Sequence, residues 1–364
     1  MAAMHRRMFL GTTMAAIATA GAQRADATGL QGLYAPAEEA PHARTWMCWP
    51  ATASLYGGQG AYYKDVLATL GRLAAAIAEF EPVAMAVADE HRTRAAAACG
   101  PRVELVAIPT DDMWARDNGP VFLTDGKGGR AALDLNFNGW GGKQAHARDR
   151  GIPAAIAAHT GCPLIPSALT GEGGGIEYDG EGTLLLTETC WINDNRNPGM
   201  TKNEIEAVLK AELGVEKVIW LPGIAGRDIT DDHIDGCVRV VRPGVLVLSG
   251  IEGDTSQWGA LMDERRAILE STTDARGRNF ILADIPWAEQ VRSKHEDFFS
   301  GYANFYVGNG AVYTPRFGDP ARDRHAEETL AALYPDRKVV VLDVDRIHEN
   351  GGGIHCVTQQ EPVG

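Results

Sequence analysis

Two segments far apart in this chain read almost alike: Glu172-Gly173-Gly174-Gly175-Ile176-Glu177 and Asn350-Gly351-Gly352-Gly353-Ile354-His355. Each is a glycine triplet leading into the apolar start of a strand. A repeated supersecondary unit accounts for both, with each glycine turn facing one central space, and chance likeness of two glycine loops accounts for the pair equally well. Helix and strand patterns alternate between the two segments and ahead of them. Apolar residues recur at helical spacing from Ala61 to Phe80, through Val66, Leu67, Leu70, Leu73 and Ile77. A strand at Pro82–Val87, a helix at Arg92–Cys99 and a strand at Val103–Ile108 follow. Thr183–Thr187 (strand), Thr201–Leu213 (helix) and Lys217–Leu221 (strand) repeat the order. Asp228–Val241 and Val245–Leu248 read as extended, ahead of a helix near Ser256–Glu270 and a strand at Asn279–Asp284. The fold class is therefore α/β, with neither low-complexity segment nor linker.

With 364 residues, 45% of them hydrophobic, the chain can bury a large core, which excludes a disordered or fibrous protein. Its 48 acidic residues outnumber 34 basic ones, for a formal charge of -14, so nucleic acid is excluded as a partner and a cationic ligand is favoured. Residues 1–27 read as a twin-arginine export signal: Arg6-Arg7 precedes a short apolar run, Met14–Ala22, and a small-residue cleavage pattern, Ala25-Asp26-Ala27. That run is too short to span a bilayer, so the mature chain, 28–364, is expected to be periplasmic or secreted without stable membrane association. Self-association stays open. The six cysteines form neither a disulfide framework nor a CxxC pair, which removes the usual thiolate zinc site.

Three segments carry chemistry. Cys356 follows a glycine run that permits close approach of a substrate to its sulfur. In Asp231-Asp232-His233-Ile234-Asp235, a strand conformation would place Asp231, His233 and Asp235 on one face, a titratable base between carboxylates. In Asp111-Asp112-Met113-Trp114-Ala115-Arg116-Asp117, Trp114 can stack on a delocalised cation while Asp117 accepts its hydrogen bonds, and Arg116 is expected to pair with a local acid. Core packing for Trp114, turn capping for Asp112, a solvated acidic turn with a chance histidine for Asp228–Asp235 and burial of Cys356 as a small hydrophobe are the structural alternatives. One chemistry satisfies all three segments: a thiolate attacks the carbon of a planar guanidinium gripped by two carboxylates, and a histidine shuttles protons. The sulfur's surroundings are expected to be cationic, lowering the thiol pKa. No metal or other cofactor is needed. His348, His355 and Cys356 could supply metal ligands, but adjacent His355 and Cys356 would point to opposite faces of a strand.

Beyond these residues, the chain resembles the agmatine deiminases, a group that includes the Porphyromonas-type peptidylarginine deiminases within the guanidine-modifying enzymes. The likeness runs through Met113–Pro120, Phe137–Lys143, Glu172–Thr189, Asn195–Pro198, Asp231–Asp235, Tyr302–Tyr306 and Gly351–Pro362. It implies a five-bladed, pseudo-symmetric α/β propeller of ββαβ units around a central pocket. It also implies hydrolysis of agmatine, a small cationic guanidino substrate, to N-carbamoylputrescine and ammonia through a covalent thiouronium. By the resemblance, Cys356 is the nucleophile, His233 the acid-base and Asp117 and Asp235 the guanidinium clamps; Asn304, Trp114 and Glu172 bind substrate. The family's usual Glu-Thr-Asp-Gly-His reads Ile229-Thr230-Asp231-Asp232-His233 here, and its Ser-Ile-His reads Gly175-Ile176-Glu177. These departures, and export, leave another guanidino compound or peptidyl arginine as the close alternative. Amidinotransfer and non-catalytic periplasmic guanidine binding are more distant.

Overall fold

Five small sheets, all built to one plan, make up the computed structural model, which describes residues 32–250 and 253–364. The export-signal reading of residues 1–27 lies outside the described residues. In the plan, an antiparallel hairpin is followed by a helix and then by a strand parallel to the second hairpin strand. Strands β4 (Val121–Thr124) and β5 (Arg130–Asp134) pair antiparallel, the helix Ile152–Thr160 crosses over, and β6 (Leu164–Pro166) runs parallel to β5. The same order gives β7 (Glu177–Tyr178), β8 (Thr183–Thr187), the helix Lys202–Leu213 and β9 (Lys217–Leu221). It gives β10 (Val238–Arg242), β11 (Val245–Leu248), the helix Gln257–Ser271 and β12 (Ile281–Asp284). It recurs in β13 (Tyr306–Val307), β14 (Ala311–Pro315), the helix Pro320–Leu333 and β15 (Lys338–Leu342).

The remaining blade joins the two ends of the chain. The last strand, β16 (Gln359–Pro362), pairs antiparallel with the first, β1 (His42–Cys48), in a register running from His42↔Pro362 to Trp46↔Gln359. The helix Ala61–Ile77 then leads to β2 (Val83–Val87), and Arg92–Cys99 leads to β3 (Val103–Ala107), both strands parallel to β1. The propeller of ββαβ blades is thus closed by a sheet whose two halves lie at opposite ends of the sequence.

Burial follows from this layering. Strands β2, β8 and β14 are buried at every position, because helices cover one face and neighbouring blades the other. The third strands β12 and β15 hold no fully buried residue and form the rim. The helix Lys202–Leu213 starts where its sequence dictates: Thr201 and Glu204 form a capping box, and the chain leaves through Gly214 at φ 65°. One expected strand is absent. Asp228–Asp235 is a turn and not extended chain, with Asp231 at φ 64° and Asp232 at φ 76°, followed by a 3-10 turn at Ile234–Gly236.

Candidate active site

The blade plan places chemistry at one recurring position, just ahead of the first hairpin strand. Asp117 lies four residues before β4, Glu172 five before β7, Asp235 three before β10, Asn304 two before β13 and Cys356 three before β16. Each blade therefore delivers one of these side chains to the centre. Both glycine triplets occupy this position too. A Cβ on Gly174 would stand 2.7 Å from His233 Nδ1, 2.8 Å from Asp117 Oδ1 and 3.2 Å from Asp235 Oδ2, so only glycine lets these three groups converge. A Cβ on Gly352 would stand 2.5 Å from the Trp114 ring and 3.2 Å from Cys356 Sγ.

Asp117 is 5% exposed and held on both oxygens: Gly174 N–H donates to Oδ1 at 3.0 Å and Trp140 Nε1–H to Oδ2 at 2.9 Å. Trp140 reaches it from a loop in which its own backbone adopts φ 56°, uncommon for so large a side chain. Across from Asp117, Asp235 Oδ2 accepts from His355 Nδ1 at 2.7 Å and Asn304 Nδ2 at 3.2 Å, and lies 3.5 Å from Cys356 Sγ. Asn304 also turns its Oδ1 to the Cys356 N–H at 3.1 Å, tying Asp235 to the Cys356 backbone. His233 lies between carboxylates: Nε2 is 3.3 Å from Glu172 Oε2, and Nδ1 is 3.7 Å from Asp117 Oδ1.

Glu172 is fixed in turn by Arg196, whose Nε donates to both carboxylate oxygens at 2.8 and 2.9 Å. The Arg196 Nη1 reaches Asp231 Oδ2 at 2.8 Å, and Lys143 Nζ approaches the same oxygen to 2.7 Å. Asp231 therefore belongs to an ion-pair network behind the histidine and does not share its face, because the turn at Asp231 and Asp232 breaks the strand alternation. Hydrogen bonds from Lys143, Arg196, the Gly226 N–H and Asn195 hold its carboxyl down to about 2 against the rise that burial causes.

These charges set the resting state. Burial pushes the Asp117 carboxyl up to about 6; His233 opposes the rise, while Asp235 and Glu172 add to it. For His233, burial favours the neutral ring, yet Asp117, Glu172 and Asp235 together raise it to about 9. Cys356 lies well above the usual thiol range, through burial first and then the charges of Asp235 and Asp117. The expected cationic surroundings of the sulfur are thus overturned: its neighbours are carboxylates, and the thiol stays protonated until a cation arrives.

Three further expectations change, those for Arg116, for Glu177 and for the pair His355 and Cys356. Arg116 finds no local acid. It meets Glu38 at 3.7 Å and donates to Gln360 Oε1 at 2.7 Å, both remote in sequence. Glu177 does not face a substrate; its Oε1 accepts from Arg239 Nε at 2.6 Å and its Oε2 from the Val240 N–H at 2.8 Å. His355 and Cys356 occupy a turn, not a strand, and both approach Asp235 Oδ2. Ile229 stands 39% exposed, and its carbonyl accepts from Lys143 Nζ at 3.0 Å, so the position where the resemblance expects a carboxylate offers an apolar side chain beside a lysine. Among the described residues, no three His, Cys, Asp or Glu side chains are grouped as metal ligands. Sequence reasoning missed Trp140, Arg196, Glu38 and the contacts of His355. The one available signal was that Glu177 and His355 end the two like glycine segments.

The surroundings of Cys356 suit a planar cation. A guanidinium set between Asp117 and Asp235 would neutralise the charge that keeps the thiol protonated, while a protonated His233 stands ready to give a proton to a departing nitrogen.

Residues 34–362 match the family described as Porphyromonas-type peptidyl-arginine deiminase. The agmatine deiminase of Stutzerimonas stutzeri is 36% identical over 357 residues, which span 91% of this chain and 96% of the relative. That of Ectopseudomonas mendocina is 35% identical over 357 residues, with the same coverage of 91% and 96%. Among solved structures, the agmatine deiminase of Enterococcus faecalis superposes with a TM-score of 0.85 at 27% identity, over 92% of this chain and 96% of that one.

Proposed function

The chain belongs to the Porphyromonas-type peptidyl-arginine deiminase family, and we propose that it is an agmatine deiminase, converting agmatine and water to N-carbamoylputrescine and ammonia. The observation that carries this reading is the pair of buried carboxylates, Asp117 and Asp235, meeting around Gly174 with the Cys356 sulfur 3.5 Å from one of them.

The guanidinium binds between the two carboxylates, and Trp114 walls the site. The added positive charge lets the thiol release its proton to solvent, His233 being already protonated, and the thiolate attacks the guanidinium carbon, forming a C–S bond. Protonated His233 gives its proton to one terminal nitrogen, the C–N bond breaks, and ammonia leaves a thiouronium on Cys356. Neutral His233, oriented by Glu172, takes a proton from water as the oxygen adds to the same carbon. The C–S bond then breaks as the adduct's hydroxyl proton passes to the departing sulfur, giving the ureido product, the Cys356 thiol and protonated His233. The cycle needs no redox partner.

Purified protein is incubated with agmatine, free arginine and an arginine-containing peptide, and ammonia and ureido product are measured. Agmatine is expected to turn over with equal yields of the two products. No turnover of any substrate refutes the reading. Turnover only of a guanidino compound with a different distal group favours the second reading, which Ile229 and Lys143 support because neither supplies a carboxylate for a distal amine. We also propose export through the twin-arginine route, on the strength of Arg6-Arg7 and the apolar run after it; fractionation of expressing cells, with and without Arg6→Lys and Arg7→Lys, tests this.

A further inference from the structure

His355 takes no part in the chemistry above, yet it is 1% exposed and meets a carboxylate at each ring nitrogen. Nδ1 lies 2.7 Å from Asp235 Oδ2, and Nε2 lies 2.8 Å from Glu38 Oε2. Ionised carboxylates only accept, so a ring nitrogen that carries a proton donates it to the carboxylate it faces. Glu38 is anchored from behind: Arg239 Nη2 donates to it at 2.8 Å, the Val307 N–H at 2.9 Å, and the Arg116 guanidinium stands 3.7 Å away. An unbroken line of polar contacts thus runs from fully buried Arg239 through Glu38 and His355 to the carboxylate beside the sulfur.

The line ends in the segment that carries the nucleophile. Thr358 N–H donates to the His355 carbonyl at 3.1 Å, Thr358 Oγ1–H to the Ile354 carbonyl at 3.0 Å, and Arg116 N–H to the Cys356 carbonyl at 3.1 Å. Ring and sulfur are therefore set by one turn. A carboxylate on a short side chain keeps its plane only when a second partner fixes it. Besides the Cys356 thiol at 3.5 Å, Asp235 Oδ2 has two nitrogen donors, of which Asn304 Nδ2, at 3.2 Å, is the longer.

We propose that His355 is a positioning residue for this reaction: bridging Glu38 and Asp235, it fixes the plane of the Asp235 carboxylate on which the substrate guanidinium is laid beside Cys356. The proposal rests on the deiminase reading. The groups that face Asp235 are His355, His233, Asn304, Cys356, Asp117 and, at longer range, Arg239. Burial pushes the Asp235 carboxyl up, but the His355 hydrogen bond, with the charges of His355, His233 and Arg239, holds it below the usual range. With the bridge lost, burial acts on this carboxyl against only His233 and Arg239, and the acid limb of kcat/KM, which Asp117 sets at about 6 in the parent, goes to higher pH as Asp235 overtakes Asp117.

Two variants of the full chain test the bridge. Asparagine places a donor near the Nδ1 position and glutamine near the Nε2 position, so His355→Asn keeps the contact to Asp235 and His355→Gln loses it. Steady-state turnover of agmatine across pH is measured for both, alongside thermal melts. His355→Gln is expected to lose about 100-fold in kcat/KM, through a raised KM as well as a lowered kcat, with its acid limb moved up. His355→Asn is expected to stay within about 10-fold of the parent with its limb in place, the smaller loss reflecting only the Glu38 contact. Equal losses in both with neither limb moved would overturn the proposal and reduce His355 to packing. If His355→Gln does not fold, Glu38→Gln removes the anchor behind the ring and must move the limb in the same direction; an unmoved limb there overturns it equally. Absence of parent turnover defeats the deiminase reading itself, whereas parent turnover with unaltered His355→Gln kinetics defeats only the role of His355.

Discussion

Replacing Asp117 with asparagine should make the protein more stable and nearly inactive at the same pH. Asp117 rises from 3.8 to about 6 in the folded chain, and at about 1.36 kcal/mol per pH unit its ionisation costs the fold on the order of 3 kcal/mol. The sign follows from a folded value above the unfolded one: the penalty is absent below about pH 4, grows between the two values and is complete above about 6. The replacement side chain carries no charge, but its amide nitrogen must face either the Gly174 N–H or the Trp140 N–H, which costs about 1–2 kcal/mol. The variant should therefore gain about 1–2 kcal/mol at pH 8, about 1–3 °C in Tm for a chain of this size, and lose that advantage as the pH falls to 4. Catalysis should move the opposite way. Deleting one partner of a buried charge pair costs about 3–5 kcal/mol, so kcat/KM should fall at least about 100-fold. Melts by calorimetry from pH 4 to 8, paired with ammonia release, check both halves. A variant that melts below the parent at pH 8, or a stability difference independent of pH, refutes the argument that this carboxylate is held ionised at the fold's expense; retained activity refutes its role as a clamp.

The charges around the histidine and the thiol lead to two more expected outcomes. Glu172→Gln removes one of the carboxylates that raise His233 to about 9, so the alkaline limb of the pH–rate profile should move down by about one pH unit, while Asp231 continues to hold Arg196; an alkaline limb still near 9 contradicts the assignment of His233. In the substrate-free protein, alkylation of Cys356 by iodoacetamide should remain slow through pH 8, with Cys356→Ser as the blank, because burial and the charges of Asp235 and Asp117 keep the thiol protonated. A titration midpoint at or below pH 8 would show a sulfur activated before substrate binds, contrary to the site described above.

What the sequence could reveal divides along a physical line. Helices and inner strands were legible because burial acts locally: the apolar spacing of Val66, Leu67, Leu70, Leu73 and Ile77 falls on the buried face of Ala61–Ile77, and Thr183–Thr187 is a strand as read. Asp117, His233, Asp235 and Cys356 were legible because a thiol, a base and two acids beside glycine turns admit few chemistries. The rest depends on contacts between remote segments. Two-residue strands such as Glu177–Tyr178 and Tyr306–Val307 carry no period of their own and exist because a neighbour pairs with them. Glu38 lies 317 positions from His355, and no local pattern announces that pair. The face argument for Asp231, His233 and Asp235 named two residues that do converge, by way of the wrong backbone. Gly174, which bears no Cβ, lets His233 and Asp235 approach the same point, and strand alternation plays no part in it.

The distribution of partners supports the proposal that these two acids serve as the clamp. Glu172 is paired with Arg196, Asp231 with Arg196 and Lys143, Glu177 with Arg239, and Glu38 with Arg239 and His355. Each of those carboxylates has a permanent cation, and none has reason to seek another. Asp117 and Asp235 have only histidines, whose protonation the pH controls, and neither is touched by an arginine or lysine among the described residues. A buried acid without a permanent counter-ion is costly, and Asp117, raised to about 6, shows that cost directly. The fold thus withholds one positive charge from the centre of five blades, and a planar cation that also neutralises the brake on Cys356 can supply it. Binding and activation then share a cause, so an agmatine analogue lacking the guanidinium charge should neither bind nor quicken alkylation of the thiol, while a charged alkylguanidine should do both until Asp117→Asn removes half of the clamp.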